Sequence, residues 1–392
     1  MSKDEPYRLK AAAIYGMATA AGLAVANIYY NQPMLGRIEA DLPGPYTALV
    51  PMATQLGYAA GLFLLVPLGD IVVRRNLIVA QFGLLALALL GAALAPSGLM
   101  LALASLFVGL TASVAQQIVP SAAHLASAES RGAVIGKILA GILTGILLSR
   151  TVAGFVATHA GWREMFWIGV PAAIGAGALI WRLLPATPAA STMGYGPLLA
   201  SLGALWREFP ALRRAALTQS LLFASFSVFW TVLAFRLQAA PFGYGPDVAG
   251  LFGVIGMVGI FAAPIAGGYA DRKSPHPVVM AGAVLTAASW LVFGFVPGVV
   301  GLVIGITVLD FATQSALVSN QHIVFALRPE ARARLNTVVM GTMFLGGAAG
   351  SAAGMAAWAH WGWPGVSVLG ALIAALGVVL QLTGHQKTAH AG

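Results

Sequence analysis

Apolar runs of about 20 residues recur along the whole chain, separated by short stretches that carry most of its charges. About 20 residues rising 1.5 Å each is what an α-helix needs to cross the hydrocarbon core of a bilayer. Twelve such spans are predicted, near 11–35, 46–68, 76–95, 98–122, 134–157, 164–184, 215–237, 248–270, 277–296, 299–326, 336–359 and 364–383. The longest polar interruption, Pro185–Arg214, divides them into two sets of six. The predicted organisation is therefore an N-terminal half over 1–184, a linker over 185–214 and a C-terminal half over 215–392. Within the linker, Leu198–Leu205 predicts a short helix on the membrane surface.

A repeat supports the division. Asp70 returns as Asp271, Arg131 as Arg332, Gly145 as Gly346, His159 as His360, and Gly161-Trp162 as Gly362-Trp363, all at one offset of 201 positions. Parallel six-helix repeats about an axis along the membrane normal are a transporter architecture, with the substrate site between the halves near the midplane. The fold class expected is all-α integral membrane, with twelve transmembrane helices in two six-helix pseudo-symmetric halves.

Composition agrees. With 59% hydrophobic and 8% charged residues and a mean hydropathy of +0.86, a water-soluble domain of this length is excluded. Cysteine is absent, which removes disulfides and cysteine metal sites and leaves the redox compartment undecided. The net charge of +9 does not point to nucleic acid, because the basic residues gather on one side of the membrane. With the N-terminus inside, 17 of the 21 Lys and Arg fall in cytoplasmic loops, tails and helix ends, while Arg37 and Arg163 are outside and Arg150 and Arg236 lie within spans. The expectation is a multi-pass protein of the cell's inner (plasma) membrane with both termini cytoplasmic. The N-terminal MSKDEPYRLK leads into an apolar run too long for a signal-peptide core, so the first helix is expected to be retained.

The stretch Leu139–Trp167 concentrates the chemistry. Gly141, Gly145, Ser149 and Ala153 repeat every four residues and make one small-residue face for close approach of a second helix. Arg150 stands just off that face. A guanidinium at this depth is costly unless it meets a partner or a watery cavity. A cavity-lining role is favoured; hydrogen bonding to backbone carbonyls between helices is the alternative. Further cavity candidates come from polar stripes. The first span offers Asn27, Tyr30, Asn31 and Met34, with Gln32 close by; the fourth offers Ser113, Gln117 and His124, with Gln116 adjacent. The tenth carries Thr307, Asp310, Gln314 and Gln321 on one face.

Asp310 is the acid placed well inside a span. Its charged form is costly there unless a cation is near, which makes it the candidate proton carrier, the alternative being a protonated Asp bonded between helices. His124 and His322 lie toward cytoplasmic helix ends where they can simply meet water. Arg236 ends the seventh span and can snorkel to the outer interface. No metal constellation, cofactor motif, catalytic set or GxxxxGK[ST] loop occurs, so neither an enzyme nor an ATP-driven pump is expected.

These residues carry a family resemblance over the whole chain. The loop ValProLeuGlyAspIleValValArgArg at 66–75 resembles the loop signature of the major facilitator superfamily, and its second-half copy Gly267-Gly268-Tyr269-Ala270-Asp271-Arg272 is closer still. The fifth span is similar to the antiporter signature of the drug/proton-antiporter branch at Gly136, Gly145, Ala153 and Gly154, with Ser149-Arg150 where Gly-Pro is usual. That substitution, TyrTyrAsnGlnPro at 29–33, GlyTrpArg at 161–163 and AlaArgAlaArgLeuAsn at 331–336 resemble the arabinose-efflux-like permeases. The resemblance implies a cytoplasmic gate at Asp70, Arg74, Arg75, Asp271 and Arg272, whose charged contacts hold one conformation until they break. It also implies a proton-coupled secondary transporter, expected to act as a monomer in the lipid bilayer and to export a small organic substrate. Import by proton symport, and a non-transporting receptor or scaffold of the same fold, remain the alternatives.

Overall fold

The computed structural model describes residues 10–127, 130–188, 193–272 and 274–389, and these are helical with no strand among them. The first span is α1 (Ala11–Ala26) and α2 (Asn31–Asp41), joined by a turn at 27–30; the second is α3 (Val50–Leu64), framed by 3-10 turns at Thr47–Leu49 and Pro67–Asp70. The third is α4 (Arg74–Ala93), the fourth α5 (Gly98–Ala112) with α6 (Ala115–Leu125), the fifth α7 (Arg131–His159) and the sixth α8 (Trp162–Leu183). The linker contains α9 (Tyr195–Glu208), longer than the helix expected there. The seventh span is α10 (Pro210–Gln238), the eighth α11 (Pro246–Ile255) with α12 (Val258–Arg272), the ninth α13 (Pro275–Phe295) and the tenth α14 (Gly298–Leu327). The last two are the arms of α15 (Arg332–Ala389), which folds back at Gly362.

Twelve crossings leave α9 and the first and last described residues at one end of the bundle, the linker end, with the opposite, distal end formed by shorter turns. Five of those turns hold a glycine at positive φ, and two of the five match between the halves. Gly161 has φ 129° and Gly362 has φ 59°, a region in which an L side chain is strained. They are repeat partners, so both halves place a positive-φ glycine just before their sixth helices.

Packing repeats as well. In the first half α1 packs on α7, α3 on α5 and α4 on α8; in the second α10 packs on the first arm of α15, α12 on α14 and α13 on the second arm of α15. The small-residue face of α7 is what lets α1 approach: a Cβ at Gly22 would lie 2.5 Å from the Gly141 carbonyl oxygen, and one at Gly145 would overlap the Gly22 carbonyl. Its repeat partner Gly346 stands against the Ser220 carbonyl of α10 in the same manner. Gly145→Leu and Gly346→Leu are therefore each expected to destabilise the bundle by about 3 kcal/mol or more, since backbone cannot move aside as a flexible side chain can. Gly83, around which a Cβ meets nothing within 4 Å, is the control: Gly83→Ala should leave the melting temperature in detergent unchanged while the other two lower it.

The halves meet unevenly. Toward the distal end α2 packs on α10 and α11, and α7 packs on α11. There Thr151 Oγ1 donates to the Gly250 carbonyl at 3.1 Å and the Asp247 N–H donates to Thr158 Oγ1 at 3.1 Å. Toward the linker end the packing narrows to α3 against α15, where Phe63 covers Gly341, and the first turns of α7 part from the other half so that a Cβ at Gly132 or Gly136 would meet nothing within 4 Å.

Candidate transport site between the halves

The site begins with a break in the first span. Pro33 has no N–H to give the Tyr29 carbonyl, and Asn27 Nδ2 takes the Leu23 carbonyl at 2.7 Å, so residues 27–30 turn with tighter i to i+3 bonds before α2 starts. This break presents Tyr29 and Gln32 to α7. Arg150 Nε donates to Gln32 Oε1 at 2.9 Å, and the guanidinium lies 4.5 Å from the centre of the Tyr29 ring and 3.9 Å from that of Trp230. Arg150 is 4% exposed, and its Nη2 has no partner. Cation–π contacts are worth most in such desolvated places.

Asp310 approaches from the other half. It is 6% exposed and its Oδ2 is likewise unpartnered. The Trp230 indole N–H lies beside the carboxyl without reaching hydrogen-bond geometry. A second break, at Gly256 and Met257 between α11 and α12, closes over this corner: a Cβ at Gly256 would sit 3.3 Å from Trp230 Cζ2 and 3.4 Å from Asp310 Oδ1. Arg150 and Asp310 feel each other electrostatically yet form no ion pair. The space lined by Gln32, Arg150, Trp230 and Ala249 has no room for a water molecule. A buried polar atom left unsatisfied costs about 1–3 kcal/mol, more when charged, so two opposite charges held apart beside one indole are an expensive arrangement.

The other sequence-predicted residues divide into two groups. Gln314, half-buried one turn from Asp310 toward the linker end, packs its Cγ near Gly259, and half-buried Gln116 donates to the Tyr58 hydroxyl at 3.2 Å. These two are the half-buried members of the set. Asn31 donates to Thr54 Oγ1 at 2.9 Å, and Gln117 donates to Gln81 Oε1 and to the Leu65 carbonyl, so both bond inside the first half, as Asn27 does. Tyr30 is buried. Sequence reasoning missed Trp230 and Tyr29 as neighbours of Arg150. It also missed Gln55, which donates to Ser351 Oγ at 2.7 Å and accepts from Ser227 Oγ at 3.2 Å, joining α3 to α15 and α10.

At the linker end Asp70 forms an ion pair with Arg74 at 2.7 Å, and Arg74 Nε donates to the Gly69 carbonyl. Arg75 stacks its guanidinium 4.3 Å from the Trp181 ring centre. These contacts stay within the first half. Arg272 is exposed at the end of α12, while the side chains of Asp271, Lys3, Arg8, Lys273 and Lys387 lie outside the described residues.

The family model described as Major Facilitator Superfamily matches residues 11–276 and 215–389. The chain belongs to the major facilitator superfamily. As such it is a multi-pass membrane transporter. It is 42% identical over 384 residues to the "Uncharacterized transporter YgaY" of Escherichia coli O157:H7, covering 97% of this chain and 98% of that one. A more distant relative is the "Probable sugar efflux transporter" of Pasteurella multocida, 24% identical over 360 residues, covering 88% of this chain and 80% of the relative. Among solved structures, a bacterial homologue of the human lysosomal transporter Spinster, in an inward-facing and unoccupied conformation, shares the superfamily fold at a TM-score of 0.74, with 14% identity and coverage of 97% and 96%.

Proposed function

We propose that this transporter is a proton-coupled secondary antiporter that exports a small organic compound by alternating access. The moving bodies are the halves 1–184 and 215–392, joined through 185–214. The observation that carries the reading is the pair of buried, unpaired charges on opposite halves, Arg150 and Asp310, sharing the Trp230 indole. A transporter must hold a group whose protonation competes with substrate or biases one conformation, and such a group has to stay unneutralised by a permanent partner. In this reading Asp310 carries the proton. Arg150, always charged, anchors the substrate or holds the ionised Asp310 in one state. Gln32 and the half-buried Gln116 and Gln314 supply amide contacts along the path.

The basic residues gathered at the linker end make that end cytoplasmic by the positive-inside rule. In this reading the parted linker end and packed distal end correspond to an inward-facing molecule whose central site is still closed, a monomer in the inner membrane with both termini cytoplasmic. Export is supported by the efflux-like residues at 29–33 and 149–150 and by the name of the Pasteurella multocida relative. One acid and one base at the centre suit a neutral or weakly charged organic molecule better than a sugar phosphate, for which two or more arginines would be needed. A ligand-stabilisation screen on detergent-purified protein tests this, because selective binding to the folded state raises its melting temperature. Neutral organics should stabilise it; consistent hits among sugar phosphates alone would overturn the substrate class.

The gate yields a separate expectation. In this inward-facing form Asp70 is held by Arg74 within one half, leaving it to be recruited across the interface, together with Asp271 and Arg272, when that end closes. Asp70→Asn should raise inward-facing accessibility with insertion and folding intact. Single cysteines placed on the naturally Cys-free background and labelled from each side provide the measurement. Unchanged labelling on both faces removes the gating role.

A further inference from the structure

The repeat fails at one place on the distal end, and the failure leaves a pocket. In the first half Trp162 Nε1 donates to Asp41 Oδ2 at 2.8 Å, Arg163 approaches the same carboxylate at 3.6 Å, and its guanidinium lies 4.1 Å from the Trp162 ring centre. An acid, a base and an indole thus satisfy one another. Moved on by 201 positions, Trp162 becomes Trp363, but Asp41 becomes Phe242 and Arg163 becomes Pro364. The second half keeps the indole and loses both charges.

Another cation occupies that corner. Arg236 lies 4.9 Å from the Phe242 ring centre and 5.5 Å from that of Trp363. Its one hydrogen bond is a long one, to the Ala240 carbonyl at 3.4 Å, and its Nε is buried without a partner. Among the described residues no carboxylate comes within ion-pair distance of it. Beside it opens a cavity of about 250 Å³ walled by Phe242, Phe293, Phe295, Leu302 and Trp363. The first residue of the 30-residue α14, Gly298, lines the same cavity. The positive end of that helix therefore adds to the field of Arg236. The Trp363 indole N–H is already committed to the Phe293 carbonyl at 3.0 Å, so the indole offers no donor and the Arg236 guanidinium is the side-chain group left to meet a ligand.

We infer that this pocket is a second binding site, separate from the one at Arg150, for an amphiphilic anion. A carboxylate or phosphate head would meet Arg236 and the start of α14, and an apolar body would lie against Phe242, Phe293 and Trp363. The central space and this pocket share no lining residue, so the inference does not depend on the proton-coupling role of Asp310. A membrane phospholipid and a free amphiphilic solute both have this chemistry.

Both sources can be tested on the full chain. In a neutral maltoside detergent, octyl phosphate and octanoate below their micellar concentrations are titrated against the protein, with octyl glucoside as the neutral control, following the melting temperature. In nanodiscs, phospholipid retained after release from phosphatidylcholine bilayers with and without phosphatidylglycerol is counted by native mass spectrometry. Wild type should bind the anionic probe in at least one arm, and R236Q should weaken that binding by about tenfold or more, the worth of a charge-assisted contact. F242D, which restores the acid of the first half, should do the same by pairing with Arg236, whereas R236K should retain most of it. Retention of phosphatidylglycerol without a soluble-probe effect identifies a lipid site; the reverse identifies a solute site. Equal binding by wild type and R236Q, or stabilisation by octyl glucoside as large as by the anions, overturns the inference. The unliganded melting temperature of each variant shows that it is folded, and R236Q alone decides the matter if F242D is not.

Discussion

Asp310→Asn is expected to abolish uphill transport driven by a pH gradient while preserving substrate exchange at zero gradient. Asparagine has nearly the shape of the acid and can still meet the Trp230 indole, so the pocket against Gly256 and Trp230 should survive. What disappears is the ability to gain and lose a proton, and with it the coupling between proton occupancy and the balance of inward-open and outward-open states. Exchange needs only the substrate-loaded protein to reorient, and it should therefore continue. Counterflow in proteoliposomes measures the exchange, and accumulation against an imposed pH gradient measures the coupling. If the variant still drives accumulation with the wild-type pH dependence, the proton carrier lies elsewhere, and His124 and His322 are the next groups to replace.

Arg150→Lys should weaken substrate binding by about tenfold or more although the charge is kept. The guanidinium of Arg150 has three features at once: its Nε fixes Gln32, its planar face stacks on Trp230 and Tyr29, and its Nη2 is left unpartnered, in the proposed reading to meet substrate. An ammonium is a compact point charge that cannot supply all three from one position. Without the Gln32 contact and the flat stack the cation is no longer held in place, and a misplaced charge-assisted contact to a ligand costs about 1.5–3 kcal/mol, a factor of ten or more in affinity. Binding of a hit from the stabilisation screen, titrated against wild type and variant, provides the number. An unchanged affinity would leave Arg150 as a structural link between α2 and α10.

Much of this molecule could be read before its structure was seen, and the parts that could not have a common cause. Span number and the small-residue face of α7 follow from periodicities that add up over many residues, so single irregularities do not disturb them. The same averaging hides local breaks. Taking the first span as one continuous helix put Asn27, Tyr30, Asn31 and Met34 on a common face. The turn at 27–30 re-aims them, so that Asn27 caps its own helix while Tyr29 and Gln32 meet Arg150. Trp230 escaped notice for another reason. It sits in a span rich in apolar and aromatic residues, and an indole there reads as core until the charges from two other helices arrive on its face and edge. Asp310 and Arg150 stood out because isolated charges in apolar spans are rare, but their spacing across the interface belongs to tertiary structure alone.

The interruptions in the helices also have a mechanical meaning. The first, fourth and eighth spans are jointed, at 27–30, 113–114 and 256–257, whereas the matching positions of their repeat partners, the seventh, tenth and second, lie inside the continuous helices α10, α14 and α3. Among the described residues none of these joints is matched by a joint at the same place in the other half. Arg150, Trp230 and Asp310 all stand on uninterrupted helices, α7, α10 and α14, which act as struts; Tyr29, Gln32 and Gly256, which touch them, stand at joints. Bending at a joint therefore changes the surroundings of a charge while the charge itself stays in place. For the proposed alternating access, the lever arms that open and close the site need be no longer than half a helix.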